Sequence, residues 1–180
     1  MKRITSHEKR ECAVLVTDML NDFIEENHPL EVPMAGKIVP NIKKQILRAR
    51  KLQIPVIYCC DAHGKHDPEF NIWPKHAIKG TEGARVVKKL KPCKGDYMVT
   101  KSHYSCFYKT TLDALLKRLG KTHLIVTGVV TNICILYTVA DAYARGYKIT
   151  IPADCVAALT KREQQFALQQ MKHIFHARII

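Results

Sequence analysis

The sequence predicts a three-layer α/β sandwich with a mostly parallel sheet of about six strands. Apolar runs of strand length recur along the chain, and they are continuous rather than alternating with polar residues. Continuous runs are typical of strands that helices cover on both faces of a parallel sheet. Between the runs, apolar residues recur at spacings of three and four, which indicates helices that bury one side. In such a fold, ligands bind near the carboxyl ends of the strands.

The strand and helix patterns alternate through the whole chain. The predicted strands are residues 12–17, 54–60, 97–100, 123–127 and 147–151, with a short last strand at 177–180. The predicted helices are residues 35–49, 112–119, 133–145 and 161–173. The second helix has Thr110 or Thr111 as its N-cap and Gly120 as its stop. Because no linker, repeat or low-complexity segment interrupts this pattern, we expect a single domain over residues 1–180.

The composition is that of an ordinary globular protein. Hydrophobic residues make up 47% of the 180, enough for a sizeable core, which excludes disordered and collagen-like classes. The seven cysteines are odd in number and contain no Cys-x-x-Cys pair, which argues against a disulfide scaffold or a zinc ribbon. The apolar stretch 12–17 is too short for a signal peptide, and no run is long enough for a membrane span. We therefore expect a cytoplasmic protein that does not bind membranes.

The formal net charge of +13 raises the question of an acidic partner. The basic residues are scattered along the chain, in pairs such as Lys43-Lys44 and Lys88-Lys89 on helix-like segments. Scattered pairs favour a solvated surface over a dedicated binding face. A basic module that binds nucleic acid is therefore only a remote alternative. Electrostatic steering of a small anionic substrate stays open.

Cys134 has the sequence context of a nucleophilic thiol. The strand-like run 123–127 breaks at Gly128, and a helix pattern begins a few residues later. A strand, a tight turn and a helix start bring free backbone N–H groups and the positive end of a helix dipole to one sulfur. Both features favour thiolate over thiol. The other cysteines lack this context, and we interpret them as structural.

Two charged residues end other predicted strands in the same way. Asp18 follows the first strand, where a carboxylate is well placed for proton transfer, although it is also a common cap and Asp22 competes for the same role. Lys101 follows the strand 97–100. A lone lysine after a strand is usually solvated, but an acid and a nucleophile in equivalent positions favour a shared site.

The segment 61–80 lacks periodicity and is rich in His, Pro and Lys. A loop of this length inside a compact domain is usually functional or disordered. Asp61 and His63 leave the strand together, and they are followed by His66, Asp67, Glu69 and His76. One carboxylate with two imidazoles suits Zn²⁺, Mn²⁺ or Fe²⁺. Surface histidines in a basic loop are the alternative.

Taken together, these residues resemble the isochorismatase-like cysteine hydrolases, and within them the nicotinamidases most closely. The resemblance runs from about residue 12 to residue 155 and rests on four motifs in order. The motifs are Asp-Met-Leu-Asn-Asp-Phe from Asp18, Asp-Ala-His from Asp61 with Trp73-Pro-Lys-His76 and Gly80-Thr-Glu-Gly, Lys101-Ser-His-Tyr-Ser-Cys-Phe, and Thr-Gly-Val-Val-Thr-Asn-Ile-Cys ending at Cys134.

The resemblance implies a Rossmann-like hydrolase fold, homo-oligomers, and cleavage of nicotinamide to nicotinate and ammonia through a thioester. It implies a role for each site residue. Asp18, Lys101 and Cys134 would form the catalytic triad, and a cis peptide between Val129 and Val130 would aim the amides of Val130 and Cys134 into an oxyanion hole. Asp61, His63 and His76 would hold a divalent metal, zinc first with manganese or iron as alternatives, and Glu69 matches a fourth ligand of some members. Phe23, Trp73 and Tyr104 would wall the ring pocket.

Three departures from the nicotinamidase pattern keep the substrate open. Asn132 stands where nicotinamidases usually carry Asp, a choice more often met in relatives that cleave carbamoyl or ureido amides such as N-carbamoylsarcosine. Ser105-Cys106-Phe107 replaces the usual Ser-Ala-Phe, and the metal loop is shorter than in many members. Isochorismatase proper typically lacks the nucleophilic cysteine, so Cys134 argues against that activity.

Overall fold

A seven-stranded sheet forms the centre of the computed structural model, which describes residues 10–180. The strands are β1 Cys12–Thr17, β2 Val56–Asp61, β3 Tyr97–Lys101, β4 His123–Val129, β5 Lys148–Ile151, β6 Val156–Ala157 and β7 Arg178–Ile179. Their order is β3-β2-β1-β4-β5-β7, with β6 beside β4, and the pairings are parallel. The predicted α/β class and parallel sheet are confirmed. The additional strand β6 has two residues, too few for a sequence pattern. The first nine residues of the expected domain lie outside the described residues.

Within residues 10–180, five α-helices connect the strands. They are α1 Asn21–Ile24, α2 Ala35–Lys51, α3 Leu112–Arg118, α4 Leu136–Ala144 and α5 Lys161–His173. The predicted helix 133–145 differs at its start, because a π-helical turn over Thr131–Ile135 precedes α4. At α5, the side chain of Thr160 accepts the Glu163 N–H, which satisfies one of the free donors of the first turn. No helix in the described part of the chain is long and apolar enough to cross a membrane.

The sheet has a hydrophobic core on each face, which gives the three predicted layers. On one face, Val14 and Val16 of β1 pack with the buried side of α2. On the other face, Ala13 and Leu15 pack with α3, α4 and α5. Successive residues of β1 thus serve opposite cores, which explains why its apolar run is continuous. Each fully buried aliphatic side chain stabilises the fold by about 1.5–3 kcal/mol.

Gly128 brings β4 close to β1 just before the strands end. Its φ of +115° is a conformation that side chains rarely adopt. A Cβ atom at this position would overlap the carbonyl oxygen of Thr17. Glycine is therefore required at position 128. Because glycine has no side chain, the residues that follow β1 and β4 can lie close together.

The structure gathers basic residues that are scattered in the sequence. Helix α2 packs against a short 3-10 turn, Lys88–Leu90, and Arg50 of α2 forms an ion pair with Asp96 at 2.5 Å. We call α2 and residues 86–96 the basic flank. It contains Lys37, Lys43, Lys44, Arg48, Arg50, Lys51, Lys88, Lys89, Lys91 and Lys94, and Asp96 is its one acidic residue. The two segments are far apart in sequence, and the contact between α2 and the turn Lys88–Leu90 places them side by side.

Candidate active site

Three chemically active side chains meet at the carboxyl edge of the sheet. Asp18 follows β1, Lys101 ends β3, and Cys134 lies in the π-helical turn after β4. The Lys101 Nζ atom is 2.7 Å from Asp18 Oδ2 and 3.6 Å from Cys134 Sγ. A carboxylate oxygen of Asp18 lies within 4.8 Å of the sulfur. All three residues are buried, and Cys134 lines a cavity. The sequence therefore identified residues that the fold brings together.

The backbone of Asp18 is held in the left-handed region, with φ at +52°. Asp tolerates this conformation better than most residues, and such geometry persists only where the surroundings impose it. Here the Asp18 N–H donates to the carbonyl of Cys59 at 2.9 Å. The Asp18 side chain in turn accepts the N–H of Asp61 through Oδ1 at 2.9 Å. These bonds fix the second oxygen of Asp18 toward Lys101.

Burial and mutual charge set the protonation of this group. Burial raises the pKa of Asp18 to about 6, helped by the charge of Asp61 and opposed by Lys101. Burial lowers the pKa of Lys101, but the charges of Asp18 and Asp61 outweigh it, so the pKa lies well above its ordinary value and the ammonium is retained. Burial and the same two carboxylates also raise the pKa of Cys134 well above its ordinary value, despite Lys101.

The resting sulfur of Cys134 is consequently a thiol. The sequence predicted that the turn and the helix start would favour thiolate, and the structure differs because the sulfur is desolvated and faces two carboxylates. An acceptor for the thiol proton lies next to it, since Asp18 has a carboxylate pKa of about 6. The arrangement can therefore form thiolate by local proton transfer.

The turn that carries Cys134 has an unusual start. The peptide bond between Val129 and Val130 is cis, as the resemblance implied. The Val130 carbonyl accepts the N–H of Ile135 at 3.2 Å, a π-helical bond. Because Ile135 donates this first π-helical bond, the Cys134 amide belongs to the leading turn of the helix, where N–H groups point toward a ligand.

A second group of buried ligand atoms lies beside Lys101. Asp61, His63 and His76 each offer one atom, and these atoms lie within 4.8 Å of one another. The Nδ1 atom of His63 is 3.1 Å from Asp67 Oδ2, and Nδ1 of His76 is 2.7 Å from the Pro74 carbonyl. When Nδ1 carries the proton and donates it to these acceptors, Nε2 of each ring carries the lone pair that a metal requires.

The donor set fits a divalent cation such as zinc. His63 Nε2 is buried and has no hydrogen-bond partner among the described residues, and it lies 3.7 Å from Asp61 Oδ2. Buried polar atoms normally have a hydrogen-bond or metal partner, so an unpaired buried nitrogen is consistent with a ligand position. Burial lowers the pKa of His63, but the nearby carboxylates of Asp61 and Asp67 outweigh it and raise the pKa to about 9. A cation would replace that proton, as expected for imidazole and carboxylate ligands.

The remaining acidic and histidine residues of the loop fall into distinct positions. Glu69 Oε1 lies 4.0 Å from His76 Nε2, close enough to join the donor set. Burial raises the pKa of the Glu69 carboxyl. Asp67 supports His63, and His66 is exposed. The Asp61 carboxylate joins the two groups, because its Oδ1 accepts from Lys101 at 2.6 Å while Oδ2 faces His63.

Phe23, Trp73 and Tyr104 line the cavity into which Cys134 opens. The cavity volume is about 280 Å³. The Trp73 Nε1–H donates to the hydroxyl of Tyr104 at 3.1 Å, which links the two aromatic walls. His76 and Val130 also reach the cavity. The predicted pocket residues thus share one space with the sulfur of Cys134 and with Asp61, Glu69 and His76.

Sequence reasoning missed much of the cavity wall. The additional lining residues are His28, Pro29, Leu30, Glu31, Val32, Ile133 and Leu159. Most of them lie in irregular segments, and only Ile133, which is part of the nucleophile motif, offered a sequence signal. None of the described residues that line the cavity is Lys or Arg.

Asp22, which competed with Asp18 on sequence grounds, faces a different partner. Its Oδ2 accepts the Ala77 N–H at 2.8 Å, and its Oδ1 is 2.9 Å from His28 Nδ1. It therefore contacts the loop that carries His76 rather than the sulfur.

The sequence of residues 12–179 matches the Isochorismatase domain family. The chain is 36% identical over 172 residues to an uncharacterised isochorismatase family protein, YaaI, of Bacillus subtilis (strain 168), and the match covers 95% of this chain and 94% of that protein.

Solved structures with high similarity include enzymes that are named for different substrates. N-carbamoylsarcosine amidase from Thermoplasma acidophilum is 35% identical with a TM-score of 0.87, over 94% of this chain and 95% of that one. Pyrazinamidase/nicotinamidase from Streptococcus mutans UA159 is 31% identical with a TM-score of 0.90, over 94% and 99%. Pyrazinamidase of Pyrococcus horikoshii, solved in complex with zinc, is 26% identical with a TM-score of 0.89, over 94% and 98%.

Proposed function

The chain belongs to the isochorismatase family of hydrolases, and from this premise we propose that it is a cysteine amidase that releases ammonia from nicotinamide or a close ring carboxamide. The observation that carries the proposal is the buried contact of Lys101 with both Asp18 and the sulfur of Cys134, at the floor of an aromatic cavity. A nucleophile, a proton acceptor and a fixed cation are the parts that acyl transfer through a thioester requires.

In the first half-reaction, the Cys134 thiol gives its proton to Asp18 while the sulfur attacks the carboxamide carbon. The new C–S bond moves the carbonyl electrons onto oxygen, and the N–H groups of Val130 and Cys134 hold the oxyanion. Each such donor is worth about 3–4 kcal/mol in comparable enzymes. Lys101 offsets the negative charge that develops on the sulfur. When the C–N bond breaks, Asp18 returns the proton to nitrogen, and ammonia leaves.

In the second half-reaction, water hydrolyses the thioester. Asp18, now ionised again, takes a proton from the water while the water oxygen attacks the carbonyl carbon. The C–S bond then breaks, the carboxylic acid forms, and Cys134 recovers the proton. A divalent cation held by Asp61, His63 and His76, with Glu69 beside them, would offer a Lewis-acidic position to a ring nitrogen of the substrate.

The charge of the cavity favours a neutral ring carboxamide. The described lining residues include Asp61, Glu69 and Glu31 but neither Lys nor Arg. A substrate carboxylate is usually bound by a fork of cationic donors, which this lining lacks. The aromatic side chains of Phe23 and Trp73 instead suit a flat ring.

A carbamoyl or ureido amide remains the second candidate, on one observation. Asn132 replaces the Asp of the nicotinamidase pattern, and its Oδ1 is buried without a hydrogen-bond partner among the described residues. Ammonia release should therefore be compared across nicotinamide, pyrazinamide, N-carbamoylsarcosine and ureidoacrylate. We expect the two ring amides to be cleaved with the higher kcat/KM. A preference for the ureido acids would reverse the substrate assignment but keep the thioester chemistry.

Replacing Cys134 by Ala tests the nucleophile. We expect C134A to lose turnover of every amide while its circular dichroism spectrum and melting temperature stay close to those of the parent. C93A is the matched control, because Cys93 is an exposed free thiol outside the cavity. Mass spectrometry under substrate excess should detect an acyl adduct on Cys134. Substantial turnover by C134A would end the proposal.

A further inference from the structure

The carboxylate of Asp22 contacts two segments that form walls of the cavity. Its side chain is 11% exposed, and each oxygen has its own partner. One oxygen accepts the N–H of Ala77, the residue that follows His76, and the other contacts His28 at the start of the lining segment 28–32. The same residue also bonds through its backbone, because its carbonyl accepts the N–H of Leu30 at 3.2 Å.

Ala77 connects the two histidines of the candidate metal site. It is fully buried, and its φ of +43° is a left-handed conformation that alanine rarely adopts. Its N–H donates to Asp22, and its carbonyl accepts the N–H of His63 at 3.0 Å. A residue in this conformation needs outside support, and the two hydrogen bonds supply it. The direction in which His76 leaves the backbone is thereby tied to the position of His63.

The loop closes around the Asp22 carboxylate at Gly83. A Cβ atom at this position would overlap the side chain of Asp22, and the Asp22 N–H donates to the Gly83 carbonyl at 3.1 Å. The glycine therefore leaves the space that the carboxylate fills. Residues on both sides of the loop, Ala77 and Gly83, are fitted to one acidic side chain.

We infer that Asp22 is a positioning residue of the metal site, which holds the His76 loop so that His63 and His76 present their Nε2 atoms to a common cation. The inference rests on the proposed metal-binding function of this cavity. It predicts that Asp22 controls metal affinity without touching the metal or the reacting sulfur. Residues that orient metal ligands in this way typically change metal affinity by about 10- to 100-fold when they are removed.

Zinc affinity of the full chain, measured by competition with a chromogenic chelator and without any substrate, tests the inference. We expect D22A to bind zinc about 10- to 100-fold more weakly than the parent. D22N should recover most of the affinity, since its remaining oxygen can accept from Ala77 and its amide can donate to His28. E25A is the matched control, because Glu25 is an exposed acid beside the same helix, and its loss should leave zinc affinity unchanged.

A second variant reaches the same contact from the other side. G83A would displace the carboxylate through the overlap at Cβ and should weaken zinc binding even where D22A fails to fold. The circular dichroism spectrum of each folded variant should match that of the parent, which separates a local effect from general damage.

The outcomes distinguish the inference from the function on which it rests. Parental zinc affinity in folded D22A and G83A would overturn the role of Asp22 and leave the amidase proposal intact. A parent that binds no zinc would overturn the metal site and the inference together, whatever the amide assays give. Weak binding by D22A with no recovery in D22N would also overturn the positioning role, because a carboxylate charge rather than a held loop would then explain the loss.

Discussion

Replacing Asp18 by Asn should remove a pH-dependent loss of stability that the active-site geometry imposes. In the parent, burial raises the pKa of Asp18 from 3.8 to about 6. The folded protein therefore binds this proton more tightly than the unfolded chain does. That contribution to stability is complete below about pH 3.8, falls as the pH rises through the window up to about 6, and is absent above it. At about 1.4 kcal/mol per pKa unit, this difference in pKa corresponds to a loss of about 3 kcal/mol in the free energy of unfolding.

Asn at this position keeps the parent geometry while removing the titration. It tolerates the left-handed backbone at least as well as Asp, and its oxygen can still accept the Asp61 N–H. Urea unfolding of both proteins in the presence of a chelator, at pH values from about 4 to 8, measures the free energy of unfolding. We expect the difference, D18N minus parent, to rise by about 2–3 kcal/mol across that range.

The control and the activity assay make this prediction specific. E26Q, which removes an exposed carboxylate, is the control variant for the same urea series. D18N should lower kcat by about 10²- to 10⁴-fold, the usual contribution of a general acid–base group. In the parent, kcat/KM should rise with pH through about 6 as Asp18 ionises. A stability difference that is constant from acid to neutral pH would refute the assignment of a raised pKa to Asp18.

Three further predictions concern other parts of the molecule. G128A should destabilise the fold by about 2–5 kcal/mol in chemical denaturation, since it combines a left-handed φ with an overlap on Thr17; a smaller loss would contradict the close approach of β1 and β4. W73F should raise KM about two- to tenfold with little change in kcat, because it removes the hydrogen bond to Tyr104; an unchanged KM would show that this link does not shape the pocket. Raising salt to about 0.5 M should raise the melting temperature by screening repulsion within the basic flank, and a fall would contradict that repulsion.

The sequence was sufficient to predict the strands and the chemistry at their ends. Residues before Asp18 and Cys134 form continuous apolar runs, and in a parallel sheet such runs must end at one edge. The meeting of side chains that follow these strands can therefore be predicted even when the course of the loops is unknown. Lys101, which ends the edge strand, follows the same rule. The four motifs gave the same residues through resemblance.

Tertiary structure alone decided what depends on packing between distant irregular segments. Leu159 and the segment 28–32 reach the cavity through loops whose course no periodicity describes. The protonation of Cys134 depends on its burial and on its distances from the carboxylates of Asp18 and Asp61. Neither the burial nor these distances can be read from the sequence. The basic flank likewise exists only because α2 packs against residues 88–90. Local patterns in the sequence fix where strands and helices form, whereas burial and through-space charge are properties of the assembled chain.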